Sequence, residues 1–227
     1  MPETKSLFNR VAEHYDLLNT ALSFGMDKLW RSRLAEEIRG SKLVLDIATG
    51  TAEVAVEVSN KLNNPHVVGL DPSEEMLRLG QKKIEALGAK KKINLVQGIA
   101  ENLPFKDDTF DAVTIAFGIR NTVDPLKSLQ EMKRVLKPNG RVGILEFAIP
   151  KNKLFGPLYM SYLRNVLPFI GSFFGKRNEY EYLADSIPKF PQRKTFVRLM
   201  EEAGFIVKKS IELTMGTVII YIGIKES

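Results

Sequence analysis

An apolar run that ends in an acid, passes through a turn of small residues and enters a helix constrains this chain more than any other feature. The run is Leu43-Val44-Leu45-Asp46-Ile47-Ala48, the turn is Thr49-Gly50-Thr51-Ala52, and the helix opens at Glu53. A second apolar run, Val67-Val68-Gly69-Leu70-Asp71, ends in another acid about twenty residues after the turn. A doubly wound sheet presents a nucleoside-containing ligand in this way, at the carboxyl ends of its strands. Small turn residues let backbone and ligand approach closely, and the first helical turn offers free N–H donors. The acid closing the second strand can accept two hydrogen bonds from ribose hydroxyls.

The turn also speaks to which nucleoside. A dinucleotide fingerprint, G-x-G-x-x-G, brings a pyrophosphate against the turn. Here Ala48 stands first, Gly50 second and Glu53 last, so an acid would face a phosphate. This argues against NAD and favours a cationic, phosphate-free ligand such as S-adenosylmethionine, whose ammonium and sulfonium tolerate Asp46 and Glu53 nearby.

At 227 residues and 44% hydrophobic, the chain has the length and apolar content of one domain with a sizeable core. Its 33 Lys+Arg exceed 27 Asp+Glu, for a net charge of +6. That allows contact with nucleic acid or anionic membrane, yet the basic residues are spread along the chain as on a solvated surface. The absence of cysteine excludes disulfides, thiolate metal sites and a cysteine nucleophile. With two His, no metal site is expected. No signal peptide is legible after Met1, and no apolar run approaches the roughly 20 residues of a membrane span, so the expected location is cytoplasmic.

In chain order, Ser6–Asn19 reads as an amphipathic helix with Leu7, Val11, Tyr15 and Leu18 on one stripe, and Asp27–Ile38 as a second. Both lie within a leading segment, 1–40, expected to pack as a plain support or, as lid helices, to lie over the cofactor. Strands are expected at Lys42–Ala48, His66–Asp71, Ile93–Gly98, Phe110–Phe117 and Arg141–Ala148. Helices are expected at Ala52–Leu62, Ser73–Leu87 and Pro125–Leu136, with a helical turn near Ala100–Leu103 and a turn at Pro138-Asn139-Gly140. From 151 to 190 the rhythm changes to a Phe/Leu/Tyr-rich cap insertion, broken by Pro157 and Pro168. A helix over Gln192–Ala203 and an antiparallel hairpin, Phe205–Leu213 with Thr217–Ile224, close the chain. The expected fold is α/β: a Rossmann-like, doubly wound, mostly parallel seven-stranded sheet with a C-terminal antiparallel hairpin, in one domain over 1–227.

Further segments carry a family likeness. They are Tyr15-Asp16-x-x-Asn19, Trp30-Arg31, Asp71-x-Ser73-x-x-Met76-Leu77, Phe117-Gly118-Ile119-Arg120-Asn121, Glu131-Met132-x-Arg134-Val135-Leu136-Lys137-Pro138, Leu145-Glu146-Phe147 and Tyr182-Leu183-x-x-Ser186-Ile187 with Phe190-Pro191. With the first-strand motif, the chain resembles the ubiquinone/menaquinone C-methyltransferases among the class I methyltransferases, over nearly its whole length. The resemblance implies S-adenosylmethionine-dependent C-methylation of a prenylated hydroquinol, as in demethylmenaquinol to menaquinol, with no metal. It implies cofactor contacts at Asp46, Ala48, Gly50, Thr51, Asp71, Pro72, Met76, Ile99, Ala100 and Ala116. Arg120 and Asn121 fall to the reacting end: Arg120, a poor proton acceptor, suits stabilising a phenolate or organising a water. A lipophilic quinol is the expected partner, with transient contact at an anionic membrane surface through 154–174 and no nucleic acid; a homo-oligomer is left open.

Each site residue also has a plainer role. Asp71 could cap the following helix, Thr51 its own, and Asn121 the helix near Pro125; Asp46 could accept backbone N–H bonds. The chain departs from the family pattern as well. Thr49-Gly50-Thr51-Ala52-Glu53 stands for Gly-Gly-Thr-Gly-Asp, Ile99 for the usual Asn or Asp, and Ala116 for a Ser. Ala52 is expected to limit ligand approach, and at Ile99 a side-chain contact to the adenine amino group is lost, leaving backbone and apolar packing. Methylation of another small molecule such as a sterol or phospholipid, RNA methylation, and a catalytically silent cofactor-binding module stand as alternatives.

Overall fold

Strands that are apolar on both faces dictate the parallel core. In β1 (Leu43–Ile47) and β4 (Phe110–Ala116), residues Val44, Leu45, Ile47, Ala112, Val113 and Ile115 are all buried, so neither strand presents a wet face. The computed structural model describes Ser23, residues 25–173 and residues 177–227. The expected helix over Ser6–Asn19, with His14 and Tyr15, lies outside the described residues.

Helix α1 (Met26–Glu37) precedes β1, and α2 (Glu53–Lys61), β2 (His66–Asp71), α3 (Glu74–Ala86), β3 (Ile93–Gln97), β4, α4 (Pro125–Val135) and β5 (Leu136–Phe147) follow it. Beyond come α5 (Phe155–Ser161), a π-helical turn (Tyr162–Val166), α6 (Leu167–Phe173), α7 (Arg177–Lys189), α8 (Lys194–Glu202), β6 (Ile206–Leu213) and β7 (Val218–Ile224). The seven strands lie in the order β3-β2-β1-β4-β5-β7-β6. β1 to β5 pair in parallel, and β7 inserts antiparallel between β5 and β6. The chain steps outward from β1 in one direction, then from β4 in the other. The crevice this creates between β1 and β4 is where an open sheet takes its ligand.

Each face of the sheet buries one apolar layer. On one, Trp30, Leu34, Ala35 and Ile38 of α1 pack with Val44, Ala112 and Ile220. On the other, Leu129 and Met132 of α4 meet Phe196 and Met200 of α8. The described part of the leading segment is thus built into the core. Leu163, Leu167, Tyr180, Ala184 and Ile187 form a small separate cluster within 151–190, packed against Phe147 and Ile149 of the sheet end.

Several local expectations are revised. Pro157 and Pro168 do not break the cap: backbone of helical type runs from α5 through the π turn into α6. Pro157 sits in the first turn of α5, where its missing N–H is not needed, and Pro168 follows the wider π turn. Residues Ala100–Leu103 form a turn pinned by an antiparallel bridge between Ile99 and Asn102, not a helical turn. Pro138-Asn139-Gly140 lies within β5 as an irregular start, with Asn139 at φ 63° and its N–H bonded to Lys225 O at 2.9 Å.

The turns after β1 and β4 touch. A Cβ at Gly118 would stand 2.5 Å from Cβ of Ala48, so only a hydrogen fits between them. Gly118→Ala is therefore expected to cost about 1–3 kcal/mol by overpacking, read as a lowered urea midpoint; an unchanged midpoint would show that the two turns separate freely.

Candidate active site

A cavity of about 510 Å³ opens at the carboxyl ends of the parallel strands. Its wall takes Ala48, Gly50 and Thr51 from the β1 turn, Asp71, Pro72 and Met76 from the end of β2 and start of α3, Ile99 and Ala100 from beyond β3, and Ala116 and Asn121 from the end of β4. These are ten of the residues named from the sequence. The crevice thus gathers segments separated by more than seventy positions, because parallel strands end on one edge.

Asp71 ties the cavity floor together. Its Oδ2 accepts from Gly50 N and its Oδ1 from Ser73 N, both at 2.9 Å. It does not cap α3: Ser73 does, accepting from Met76 N at 3.2 Å. Each carboxylate oxygen keeps a second lone pair for a ligand. Burial raises the Asp71 pKa against the pull of those two N–H donors. The N-terminus of α2 has no side-chain cap; its N-cap is Ala52, at φ 66°, rather than Thr51. Thr51, Glu53 and Val54 bring that helix start onto the wall, a suitable end for a ligand carboxylate. Ala52 itself is fully buried off the wall, its Cβ 3.4 Å from where a Cβ of Gly80 would lie. Its left-handed backbone turns the methyl toward α3, so it does not narrow the ligand's approach.

Asp46 is the named cofactor residue that the structure sets away from the wall. Its Oδ2 accepts from Thr49 Oγ1 at 2.6 Å and its Oδ1 from Thr114 Oγ1 at 2.8 Å, fully enclosed. Gly69 opposite makes room for Thr49: a Cβ there would be 2.9 Å from Thr49 Cγ2. Burial pushes the Asp46 carboxyl up to about 6, opposed by the Thr49 and Thr114 hydroxyls and reinforced by Asp71.

After β4, Ile119–Asn121 makes one 3-10 turn. Arg120 lies behind the wall: Nη1 donates to Glu146 Oε1 and to Phe117 O, both at 2.7 Å, and Nε to Ser186 Oγ at 3.4 Å. The guanidinium stands 5.4 Å from the centre of the Phe147 ring. Asn121 donates to Phe117 O at 3.3 Å and accepts from Tyr182 Oη at 3.1 Å. It does not cap α4, which Asp124 caps from Oδ1 to Lys127 N at 3.0 Å. Tyr182 and Ser186, one turn apart on α7, thereby fasten the cap onto this turn. Tyr159 of α5 belongs to the same polar island; burial drives its phenol well above the usual range, with Tyr162 reinforcing, Arg120 opposing and Glu146 reinforcing.

Glu53, read from the sequence as an acid near the ligand, is on the wall; sequence reasoning missed Arg31, Gln97, Glu101, Phe117 and Thr122 there and Glu146 behind it. Arg31 reaches the wall from α1, paired with Asp27 at 2.5 Å and 3.9 Å from Glu53, which Lys83 also contacts. Its adjacency to Trp30 in a family segment was the only trace of this. Glu146 is a charge inside an apolar strand (Ile144-Leu145-Glu146-Phe147), and that misfit was the available signal. Burial raises its pKa against Arg120, and its Oε2 has no partner among the described residues. Among those residues no cluster of three His, Asp or Glu could hold a metal, and no helix is long and apolar enough to cross a membrane.

A doubly wound sheet, a strand-end acid over a phosphate-averse turn and an arginine–asparagine turn across the crevice define a domain of the S-adenosylmethionine-dependent methyltransferase class. Residues 2–225 match the model of the ubiE/COQ5 methyltransferase family, and the chain belongs to that family. It is 43% identical over 224 residues to a ubiquinone/menaquinone biosynthesis C-methyltransferase UbiE from Geotalea daltonii, covering 97% of this chain and 95% of the relative. To a demethylmenaquinone methyltransferase from Thermus thermophilus it is 42% identical over 221 residues, covering 96% and 99%. Among solved structures, a SAM-dependent methyltransferase from Aquifex aeolicus aligns with a TM-score of 0.66 at 21% identity, over 92% of this chain and 97% of that one. The [4+2]-cyclase SpnF aligns with a TM-score of 0.68 at 15% identity, over 96% and 97%. The fold alone therefore does not select the chemistry.

The Asp46 carboxyl gives the site a pH signature. Between its ordinary value of 3.8 and about 6, the native state keeps a proton that the unfolded chain has released. This group's contribution to stability is therefore fully present below about pH 4 and is lost as pH rises through 6. Relative to Asp46→Asn, wild type is expected to lose on the order of 2–3 kcal/mol between pH 4 and pH 7. Urea unfolding of both proteins across that range reads the difference; parallel curves would mean that Asp46 titrates alike in both states.

Proposed function

We propose that this protein transfers a methyl group from S-adenosylmethionine to a ring carbon of a prenylated hydroquinol, of the demethylmenaquinol-to-menaquinol type. The carrying observation is one crevice with the buried acid Asp71 on one wall and, across it, Asn121 with Arg120 behind. Its family relatives, whose names specify quinone-biosynthesis methylation, support the same reading.

The residues present fit the cofactor. The cavity volume suits a ligand of that size. Asp71 would hold the ribose, and Gly50, Thr51 and the uncapped start of α2 the carboxylate. Glu53 would stand near the ammonium, with Asp46 holding Thr49 from below. Pro72, Met76, Ile99, Ala100 and Ala116 would line the base and thioether, against Ala48. When bound, S-adenosylmethionine supplies an electrophilic methyl on a positively charged sulfur.

Arg120 and Asn121 hold the other reactant. A hydroquinol ring carbon becomes a stronger nucleophile as its neighbouring hydroxyl loses a proton. A protonated guanidinium has no lone pair with which to take that proton, so the task of Arg120 is to stabilise the oxygen anion and the proton leaves through water. Among the described residues Nη1 and Nε are already committed, which leaves Nη2 as the donor to a phenolate oxygen. Glu146 keeps the guanidinium in that orientation, so little reorganisation is needed as charge develops. Asn121, oriented by Tyr182, positions the ring.

The same reading treats 1–227 as one domain with 151–190 as substrate cap; of the segment 1–40 expected as lid, helix α1 serves instead as a support packed on the sheet, with Arg31 on the crevice wall. Leu154, Leu158 and Phe169 are exposed on the cap, as are Lys151 and Lys153 at its start in the chain. This is the side at which a prenyl tail would enter from an anionic membrane surface.

The test is transfer of labelled methyl from S-adenosylmethionine to a reduced short-tailed demethylnaphthoquinol, with bulk RNA as a parallel acceptor. Label on the quinol and not on RNA is expected; label on RNA alone would overturn the reading. Asp71→Ala is expected to weaken S-adenosylmethionine binding at least about tenfold by calorimetry, whereas a folded variant within twofold of wild type would remove Asp71 from the site. Arg120→Lys, lacking the planar fork, is expected to lower kcat roughly 100-fold while the cofactor Kd stays within about twofold. A parallel loss of both would place Arg120 in cofactor binding instead.

A further inference from the structure

We infer that Glu101 is the acceptor that recognises the adenine 6-amino group, replacing the side-chain contact removed at Ile99. The inference rests on reading the cavity as an S-adenosylmethionine site and adds to it a specificity-determining residue.

Two buried carboxylate oxygens lack a hydrogen-bond partner among the described residues, Oε2 of Glu101 and Oε2 of Glu146. The second is explained by its neighbour, because Arg120 neutralises that carboxylate through Oε1. Among the described residues Glu101 has no salt bridge, and its Oε1 accepts from Val123 N alone, at 2.7 Å; its side chain contributes to the cavity wall. A buried carboxylate oxygen without a donor is costly, and ligand sites are where such groups persist.

The place of Glu101 identifies the donor. Along the wall, Asp71 closes β2, while Gly98, Ile99, Ala100 and Glu101 follow β3, the next strand outward. A nucleoside with its ribose at Asp71 carries its base toward the β3 end. Pro72, Met76, Ile99 and Ala100 there are apolar and suit the faces of a purine. Adenine joined through N9 has one hydrogen-bond donor, the 6-amino group, and its ring nitrogens are acceptors. A fixed carboxylate oxygen at that end therefore selects the amino group.

The oxygen is held rather than free to swing. The Ile99–Asn102 bridge closes the turn that carries Glu101. Below it, Leu103 N donates to Glu131 Oε2 at 2.8 Å, and Arg134 donates to Leu103 O at 3.0 Å and Phe105 O at 2.8 Å. From the far side, the Val123 N–H anchors the carboxylate itself. With both ends pinned, Oε2 has one orientation.

The experiment compares calorimetric affinities of the full chain for S-adenosylhomocysteine and for its desamino analogue, in which hydrogen replaces the 6-amino group. Wild type is expected to favour the amino ligand by at least about tenfold. Glu101→Ala is expected to bind the two within about twofold, and Glu101→Gln, which keeps an uncharged acceptor, to show an intermediate ratio. Losing only the clamp on Val123 would weaken both ligands alike and leave the ratio unchanged. An unchanged ratio in either variant overturns the inference, as does a wild type that binds both ligands equally. Should Glu101→Ala fail to fold, the Glu101→Gln ratio decides. A wild type that binds neither ligand overturns the cofactor reading itself.

Discussion

The carboxylate of Asp71 joins two turns that the sequence keeps apart. One oxygen takes the N–H of Gly50, from the turn after β1, and the other takes the N–H of Ser73, at the entrance to α3. Because β1 and β2 are neighbours in parallel register, their ends lie side by side, and a side chain at the tip of one can set the backbone of the other. The arrangement leaves lone pairs over for a ligand. The crevice is thus formed by the same group that would read its occupant. The β4 turn completes it from the other side, with Gly118 against Ala48.

Charge is distributed asymmetrically around this crevice. On the β1 and β2 side, Asp46 and Asp71 are buried with no salt bridge among the described residues, and burial raises both their pKa values. On the opposite side, Arg120 and Glu146 form a buried ion pair at 2.7 Å. Such pairs contribute little net stability, because desolvation offsets the attraction. What this one supplies is orientation: Arg120 is fixed by Glu146, by Phe117 O and by Ser186 of the cap. The segment 151–190 is correspondingly more than a cover, since Tyr182 and Ser186 complete the hydrogen bonding of the Ile119–Asn121 turn.

The departures from the family pattern read differently in three dimensions. Ala52 stands where a glycine is usual and suggested an obstruction, but its left-handed backbone points the methyl at Gly80 of α3. Ile99 removes a polar side chain from the cavity wall, and Glu101, two residues on, brings to the same wall a carboxylate oxygen with no partner among the described residues. Neither outcome follows from residue identity. Both depend on the direction in which a Cα–Cβ bond leaves an irregular turn, and no periodicity encodes that direction.

By itself the sequence determined the alternation of strands and helices, the parallel core and the strand-end turns at Gly50, Asp71 and Asn121. Runs such as Ala112–Phe117, apolar on both faces, have no stable home except between two helical layers, and parallel strands then collect their ends on one edge. Local pattern suffices for such conclusions. Only the tertiary structure decided that Asp46 lies beneath the wall, that Asp124 and Ser73 cap the helices offered to Asn121 and Asp71, and that Glu146 fixes Arg120. Those outcomes turn on which of several nearby donors and acceptors meet first, and the partners come from strands and helices distant in the chain. Asp46 is kept from the cavity by enclosure: the hydroxyls of Thr49 and Thr114 cover its carboxylate, one on each oxygen, and the side chain is fully buried.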